Sequence, residues 1–226
     1  MSISQSSTKN LLLSGLSPAD FAMLSDDLVL VELPRGKELT APGQSIKHCW
    51  FIEDGIASMV AASREGQETE AGIVGREGMV DVATILGATY SPLRCFIQVP
   101  GHGLRIPAAT VVAACAASPA LRSSCNNFAY SILCQIAQTA LANAAFSVEE
   151  RLARWLLMCA ERTDGTEIAL THEFLSVMLN VRRAGVTLAL HSLQGAGFVE
   201  TRRGAIRIID RSGLQEFAHD AYTALA

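Results

Sequence analysis

The sequence predicts an α+β fold in which an all-β domain is followed by a long helix and a smaller mixed domain. Between residues 28 and 107, apolar runs of roughly four to eight residues alternate with glycine-containing turns, which is typical of a small barrel or sandwich of strands. After Pro107 the chain becomes rich in alanine, and its apolar residues take a helical spacing. Near the C-terminus, two short helical patterns precede an alternating strand pattern. We therefore divide the 226 residues into domains 1–118, 119–146 and 147–226.

The composition and the cysteine spacing argue against several classes of protein. Half of the residues are apolar and 18% are charged, which is typical of a globular protein. No apolar run approaches the roughly 18 residues that a membrane span requires, and the polar N-terminal segment lacks a signal-peptide pattern. The six cysteines contain no C-x-x-C pair, so we interpret them as buried thiols. We expect a cytoplasmic protein without a membrane partner, a metal or a cofactor.

The positive charge is concentrated near the C-terminus. The whole chain has a net charge of −4, but residues 182–211 contain six arginines against Glu200 and Asp210, a local charge of +4. All three lysines lie before residue 48, so this cluster consists of arginine alone. Because a guanidinium group forms paired hydrogen bonds with phosphate or guanine, the cluster indicates a nucleic-acid-binding surface. The alternative interpretation is that these charges form an ordinary solvated surface.

Turn residues divide the β region into strands. Pro34-Arg35-Gly36, Gly43 and Pro100-Gly101 interrupt the apolar runs. Asp54-Gly55 stands between two apolar runs, and this dipeptide is a strong signal for a tight hairpin. We therefore expect the strands on either side of Asp54-Gly55 to pair with each other.

A long helical pattern begins at Pro119 and continues to about Ala145. One stripe of small or apolar positions alternates steps of four and three residues, which is compatible with a coiled coil. The stripe consists of Leu121, Cys125, Phe128, Ile132, Gln135, Thr139 and Ala142. We expect a homodimer with the first six of these residues at its interface; the alternative is that the stripe packs on the chain's own β domain. A second apolar face adjoins the first, so that one helix could serve both purposes; it contains Ala129, Leu133, Ile136 and Ala140.

The next helical pattern begins at Ser147. Ser147 can cap the free N–H groups while Glu150 bonds back to it, an arrangement called a capping box. Glu149 and Glu150 could instead suggest acid–base catalysis, but negative charge in a first helical turn suits the helix dipole. The sequence shows no nucleophile–base constellation, phosphate-binding glycine loop or metal-ligand spacing, so we do not expect an enzyme.

Residues 171–195 predict two helices joined by a short turn. Thr171 can cap a first helix over HEFLSVML, and a second helix runs from Arg182 to about Gly195. Asn180 falls at the turn, where a positive φ is required and asparagine is tolerated. Five apolar positions fit the packing of such a pair, namely Leu175, Leu179, Val181, Val186 and Ala189. This spacing is that of a helix-turn-helix unit, whose second helix enters the major groove of DNA.

An alternating pattern follows the second helix. Residues 198–201 and 205–209 alternate around Arg202-Arg203-Gly204, which predicts a β-hairpin, or wing, with arginines at its tip. The first arginine pair lies at the N-terminal end of the second helix, where side chains reach base edges, and the wing pair can meet phosphate. The candidate DNA-binding residues are Thr171, Arg182, Arg183, Thr187, Arg202 and Arg203.

From about residue 15 to 212 the chain resembles the Crp/Fnr family of bacterial transcription regulators. The resemblance rests on PRGKELTAPGQ and CWFIEDGIA in the β domain, the long helix, ERLARWLL, and LTHEFLSVMLNVRRAGVTLAL. It implies a cyclic-nucleotide-binding-like β-roll (a jelly roll), a dimerisation helix and a C-terminal winged helix-turn-helix. It also implies a homodimer that binds a palindromic double-stranded DNA operator and acts with RNA polymerase.

The sequence departs from this family at the expected effector site. Cyclic-AMP-binding relatives place Gly-Glu in a short helix and an Arg-Ser or Arg-Thr pair about ten residues later. Here Arg76 lies between Gly75 and Glu77, and the later stretch reads YSPLR without such a pair. The candidate effector-binding residues are Arg76, Glu77 and Arg94. The two arginines could bind a different anion, with a solvated or structural role as the alternative. We expect an unidentified small-molecule effector other than cyclic AMP.

The second helix also departs from the family pattern. Arg183 matches the family's first base-contacting arginine, whereas Ala184 and Leu188 stand where a glutamate and a second arginine are common. The operator is therefore expected to differ from that of the cyclic-AMP receptors. Two functions remain open: a DNA-binding regulator, or a small-molecule or redox sensor in which the β-roll pocket or the thiols are the primary active feature.

Overall fold

The computed structural model describes residues 3–163 and 167–222. Helices α1 (Leu11–Ser14) and α2 (Pro18–Ser25) precede the β region. Its strands are β1 (Val29–Leu33), β2 (Glu38–Thr40), β3 (His48–Ile52), β4 (Ile56–Ala62), β5 (Glu68–Val74), β6 (Met79–Val80), β7 (Arg94–Val99) and β8 (Gly101–Pro107). The all-β region predicted between residues 28 and 107 is confirmed.

These strands form two four-stranded sheets, in the orders β1-β8-β3-β6 and β2-β7-β4-β5. In the first sheet β8 pairs antiparallel with β1 and β3, and in the second β7 pairs antiparallel with β2 and β4. Both sheets contribute fully buried side chains, such as Phe51 of β3 and Ile97 of β7. Burial of apolar surface from both sheets stabilises this part of the chain.

The turn at Asp54-Gly55 does not form the predicted hairpin. β3 belongs to the first sheet and β4 to the second, so the chain changes sheets at this turn. The Asp54 carboxylate accepts a hydrogen bond from the backbone of His102, and a Cβ at Gly55 would collide with the carbonyl of Val99. The hairpin prediction was wrong because a turn signal shows where the chain bends, while packing between the sheets decides which strands pair.

Helices dominate the rest of the chain. They are α3 (Ala108–Ala117), α4 (Pro119–Ala145), α5 (Val148–Arg162), α6 (His172–Met178), α7 (Arg183–Gly195) and α8 (Arg211–Ala218). Three short strands lie among them: β9 (Glu167–Ile168), β10 (Val199–Arg202) and β11 (Ala205–Ile208). Among the described helices, none is long and apolar enough to cross a membrane.

The predicted capping box at the start of α5 is confirmed. The Ser147 hydroxyl accepts a hydrogen bond from the backbone N–H of Glu150, and the Glu150 carboxylate accepts one from the backbone N–H of Ser147 at 2.7 Å. Hydrogen bonds from the side chain and backbone of Ser147 lower the pKa of Glu150. Glu150 therefore caps the N-terminal end of α5.

Contacts divide the chain into two compact units. Unit 1 comprises residues 1–61 and 72–134, and unit 2 comprises residues 62–71 and 135–226. Unit 2 thus takes in the end of β4, the following turn and the start of β5. This division differs from the boundaries predicted after residues 118 and 146, which follow the secondary-structure elements and stay a prediction.

The predicted dimer stripe on α4 is covered by the chain itself. Leu121, Cys125, Phe128 and Ile132 are buried, and a Cβ at Gly78 would collide with the Phe128 ring. Farther along α4, Gln135 is buried and Thr139 is half-buried, with its hydroxyl accepting a hydrogen bond from Arg154. Burial within the chain favours the alternative that this stripe packs on the chain itself, and the assignment of these six residues to a dimer interface stays a prediction.

The exposed apolar residues of α4 lie on another face. Tyr130 is 68% exposed, Leu133 is 62% exposed and Leu141 is 49% exposed. Leu133 belongs to the second apolar face recognised in the sequence. A stripe that is buried within one chain leaves little surface for a partner.

Candidate DNA-binding surface

The helix-turn-helix unit has the predicted local structure. The Thr171 hydroxyl caps α6 by accepting a hydrogen bond from the backbone N–H of Phe174 at 3.4 Å. Asn180 has φ 49°, so the turn residue does adopt the left-handed conformation that asparagine tolerates. The second helix α7 begins at Arg183 with Arg182 as its N-cap residue.

The two helices pack through the predicted apolar positions. The buried positions are Leu175 and Leu179 in and after α6, and Val186 and Ala189 in α7. Val181, in the turn, is half-buried. Leu190 and Leu193 extend the buried face of α7. Because 3.6 residues make one turn, burying this face leaves the opposite face of α7 at the surface.

The outer face of α7 carries the first arginine pair. Arg182 and Arg183 are exposed at the start of the helix. Thr187 is half-buried, and its hydroxyl donates to the Arg183 carbonyl at 3.1 Å and lies 3.3 Å from Nδ1 of His172. Since local bonds occupy the hydroxyls of Thr171 and Thr187, the arginines are the freer groups for an outside partner.

The wing is present and is larger than predicted. β10 and β11 pair around Arg203-Gly204, and Gly204 has φ 76°, a conformation that glycine adopts without strain. β11 also pairs with β9, a strand that the sequence analysis missed because it has only two residues. The third strand lies along β11 and contacts α5.

The two wing arginines have different surroundings. Arg202 lies in β10 and forms ion pairs with Glu200 at 3.2 Å and Glu167 at 4.0 Å. Arg203 lies exposed in the turn, and within the described ranges it has no ion-pair partner. The sequence could have indicated the Glu200 contact, because residues two apart on a strand share a face. The Glu167 contact depends on the pairing of β9.

Buried polar side chains hold α5 in place within unit 2. Trp155 donates from Nε1 to the buried Glu70 carboxylate at 2.7 Å. The guanidinium of Arg154 donates to Thr139 at 3.2 Å, and that of Arg151 donates to the Leu179 carbonyl at the end of α6. The sequence pattern does not indicate these roles, because an arginine in a helical pattern is ordinarily a surface residue.

The effector candidates of the β region are engaged in local contacts. The Nε of Arg94 lies 3.3 Å from the Glu38 carboxylate, and its guanidinium lies 4.6 Å from the centre of the Phe96 ring. The Glu77 carboxylate accepts the backbone N–H of Gly75 at 3.1 Å, and the Arg76 carbonyl accepts that of Leu11 at 2.7 Å. These contacts support the structural role that was the alternative for Arg94.

Five of the six cysteines are buried, and Cys134 is exposed. Burial, followed by the negative charge of Asp81, raises the pKa of Cys49 to about 12 and also raises that of Cys95. A hydrogen bond with Cys125 is the main factor that lowers the pKa of Cys115. In the described part of the chain, no group of three or more His, Cys, Asp or Glu side chains could hold a metal ion.

The fold and this surface define a helix-turn-helix protein with an N-terminal domain of two β-sheets. Residues 150–217 match the family model described as the Crp-like helix-turn-helix domain. The C-terminal part of the chain is therefore similar to a Crp-like helix-turn-helix domain, in agreement with the resemblance found in the sequence. No curated protein sequence matches the chain.

Three solved structures show the similarity of fold. A protein from Eubacterium rectale described as a transcriptional regulator of the Crp/Fnr family is 20% identical with a TM-score of 0.70, covering 92% of this chain and 97% of its own. FixK2 from Bradyrhizobium japonicum is 13% identical with a TM-score of 0.73, covering 88% and 99%. The c-di-GMP responsive global regulator CLP of Xanthomonas campestris is 14% identical with a TM-score of 0.68, covering 86% and 100%.

Proposed function

We propose that this protein is a sequence-specific DNA-binding transcription regulator that engages a palindromic operator as a homodimer. The observation that carries the proposal is the position of Arg182 and Arg183 on α7. They stand exposed at the N-terminal end of a helix whose opposite face is buried. That end of a recognition helix approaches base edges when the helix enters the major groove.

The arginines divide into two roles. Arg183, in the first turn of α7, is assigned to base edges, where its planar guanidinium can pair with guanine. Arg203, at the tip of the wing, is assigned to phosphate, which positions a protein without reading sequence. Arg202 contributes less than Arg203 because Glu200 and Glu167 already share its charge. Arg182, as the N-cap residue, can turn to either group.

The homodimer is assigned to the exposed face of α4. Tyr130, Leu133 and Leu141 present apolar surface there, which a second copy of the chain would bury. A Leu133→Glu variant is expected to be monomeric in light scattering at micromolar concentration, because the new charge would have to be desolvated at the interface. The buried-face control Ile132→Val should lose about 1 kcal/mol of unfolding free energy and keep the dimer mass. A monomeric wild-type protein would contradict the assignment.

The effector is a small molecule other than cyclic AMP, and RNA polymerase is the further partner of the DNA-bound dimer. The placement of Arg94 supports the first statement, since its guanidinium is held by Glu38 and Phe96. A buried phosphate charge without a cationic partner is strongly disfavoured. Calorimetry should therefore detect no micromolar binding of cyclic AMP; binding at that level would show that another arginine neutralises the phosphate.

The raised pKa values of Cys49 and Cys95 argue against these two thiols as redox sensors. A thiol reacts with oxidants mainly as the thiolate, and burial keeps these two thiols protonated. The β-roll is then the domain that receives the effector, while α7 and the wing act on DNA.

Selection of bound fragments from random duplex DNA tests the proposed function directly. The full chain should enrich one motif with two inverted half-sites about one helical turn apart, because the recognition helices of a dimer enter successive major grooves. Enrichment of a single half-site would contradict the palindrome, and recovery of no motif would contradict sequence-specific binding.

A further inference from the structure

One feature of α7 is unusual for a helix that faces a polar, charged ligand. Leu188 is 67% exposed and lies on the outer face of the helix. Ala184 and His191, four residues before and three after, are exposed on the same face. Val186, Ala189, Leu190 and Leu193 form the core on the opposite face. Leu188 therefore has no part in holding the two helices together.

The charges around Leu188 indicate its partner. Residues 183–195 contain no acidic side chain, and Arg182 and Arg183 stand exposed one turn or more before Leu188. Arginine can also pair with an acidic protein surface, but the order of groups along α7 suits the major groove of DNA. The arginines at the start of the helix can bond acceptors on one base pair, and the apolar patch around Leu188, more than one turn later, can contact another base pair.

Thymine is the base with an apolar group in the major groove, its C5-methyl, and side-chain methyl groups make favourable contacts with it. We infer that Leu188, with the methyl of Ala184 beside it, is a specificity-determining residue that contacts the C5-methyl of thymine in each operator half-site. This inference rests on the proposed function and adds the identity of a base that the surface selects.

Contact with a thymine methyl group would explain why an apolar side chain is exposed at position 188. An exposed apolar side chain contributes nothing to the stability of the free protein. Covering one methyl or methylene group on DNA binding contributes about 0.8 kcal/mol, which is roughly a fourfold change in Kd. An arginine or glutamine at the same place could bond a purine and would leave the thymine methyl against polar atoms. The apolar patch thus favours thymine over cytosine, which has no methyl group.

Deoxyuridine substitution tests the contact, because uracil has the hydrogen-bonding groups of thymine and lacks the methyl. Each thymine of the selected motif is replaced in turn, symmetrically in both half-sites, and the Kd of the full chain is measured. One symmetric position should weaken binding about tenfold, from a factor of roughly three to four in each half-site. If no thymine position responds, the inference is overturned.

The Leu188→Ala variant closes a double-mutant cycle with the methyl group. It should bind the thymine duplex about as weakly as the wild type binds the deoxyuridine duplex, and it should be insensitive to the substitution. The dependence of its affinity on salt should match that of the wild type, because no phosphate contact is lost. A variant that remains sensitive to the methyl would overturn the assignment to Leu188.

Leu86→Ala is the matched control. Leu86 is also 67% exposed, but it lies in a short helical turn of unit 1, at residues Val82–Leu86. This variant should bind both duplexes as the wild type does. If the wild-type chain selects no motif at all, the proposed function fails; if it selects a motif and no methyl matters, only the present inference fails.

Discussion

Two buried carboxyl groups, one in each compact unit, differ in the groups that compensate their charge. In unit 1, Asp81 is buried beside thiols, and it accepts a hydrogen bond from the neutral Thr40 hydroxyl. In unit 2, Glu70 is buried against Trp155 and also acts electrostatically on the buried guanidinium of Arg154. A neutral partner offsets little of the free-energy cost of burying a carboxylate, whereas a cationic partner offsets much more of it.

The pKa values follow from these surroundings. Burial raises the pKa of Asp81 to about 6, although the hydrogen bond from Thr40 acts in the opposite direction. Burial lowers the pKa of Arg154, and the Glu70 carboxylate opposes that shift. The comparison therefore predicts that unit 1 contains a group sensitive to mildly acidic pH, and that unit 2 contains a pair whose members are costly to separate.

The largest effect is expected from breaking the pair in unit 2. Glu70→Gln keeps an acceptor for Trp155 but removes the charge that compensates Arg154, and such a loss typically costs about 3–5 kcal/mol of unfolding free energy. Denaturant unfolding measures this cost. Glu65→Gln makes the same chemical change at an exposed position in the turn that precedes β5 and should alter stability by less than about 0.5 kcal/mol.

A second change separates charge compensation from packing. Adding Arg154→Met to Glu70→Gln removes the uncompensated charge, so the double variant should recover much of the lost stability. If the two changes were additive instead, the Glu70 carboxylate would not be acting on Arg154.

The next largest effect concerns Asp81. Because the folded chain holds the Asp81 proton more tightly than the unfolded chain, with its ordinary pKa of 3.8, this group favours folding at low pH. The contribution is lost as the pH rises from about 4 to about 6, and a shift of about two pKa units corresponds to about 3 kcal/mol.

Asp81→Asn removes the titration while keeping an acceptor for Thr40, and asparagine tolerates the φ of 69° at this position. The difference in unfolding free energy between variant and wild type should therefore shift in favour of the variant between pH 4 and pH 7. A difference that stays constant with pH would mean that Asp81 does not bind a proton in this range.

Arg183 and Arg203 of unit 2 give a further contrast, because water rather than a carboxylate solvates these two exposed guanidinium groups in the free protein. Arg183→Ala should cost about 1–3 kcal/mol at the selected motif and relax the preference at one base pair. Arg203→Ala should weaken binding to selected and scrambled duplexes alike and reduce the salt slope by about one unit per phosphate contact in each protomer.

Arg202→Ala is the internal control for the wing. Its charge is shared with Glu200 and Glu167, so its effect on the salt slope should be smaller than that of Arg203→Ala. Titrations on both duplexes at several salt concentrations measure all three variants. If Arg203→Ala altered base preference while Arg183→Ala did not, the placement of α7 in the groove would be wrong.

The smallest effect is expected at Asn180 in unit 2, a non-glycine residue with a positive φ. Asn180 is exposed at the helix-turn-helix turn with φ 49°. Asn180→Ala should cost about 1 kcal/mol, because alanine avoids this conformation, whereas Asn180→Gly should be close to neutral. Thermal unfolding of the two variants measures the difference, and equal melting temperatures would show that the turn is not strained.

The local features were predictable because their signals lie within a few residues of each other. The capping box at Ser147 and Glu150, the cap at Thr171 and the turn at Asn180 are all decided by neighbouring groups. The helix-turn-helix could also be recognised from spacing, since four of its five predicted packing positions are buried.

The features that were missed depend on residues far apart in sequence. The Trp155 bond to Glu70 spans 85 residues, and no pattern near either residue indicates it. The stripe on α4 has the spacing of a coiled coil whether it packs on another copy or on its own chain, so periodicity could not decide between the two.

The sequence by itself determined the β region, the long helix, the helix-turn-helix and the arginine-rich C-terminus, because residue spacing and type act locally to set helices, turns and caps. Only the tertiary structure decided that Asp54-Gly55 turns between sheets, that Phe128 is covered, and that Arg202 and Arg203 differ. Each of these outcomes depends on which residues, distant in the sequence, pack against a given side chain. Burial and charge compensation arise from those contacts and cannot be inferred from a single segment of the chain.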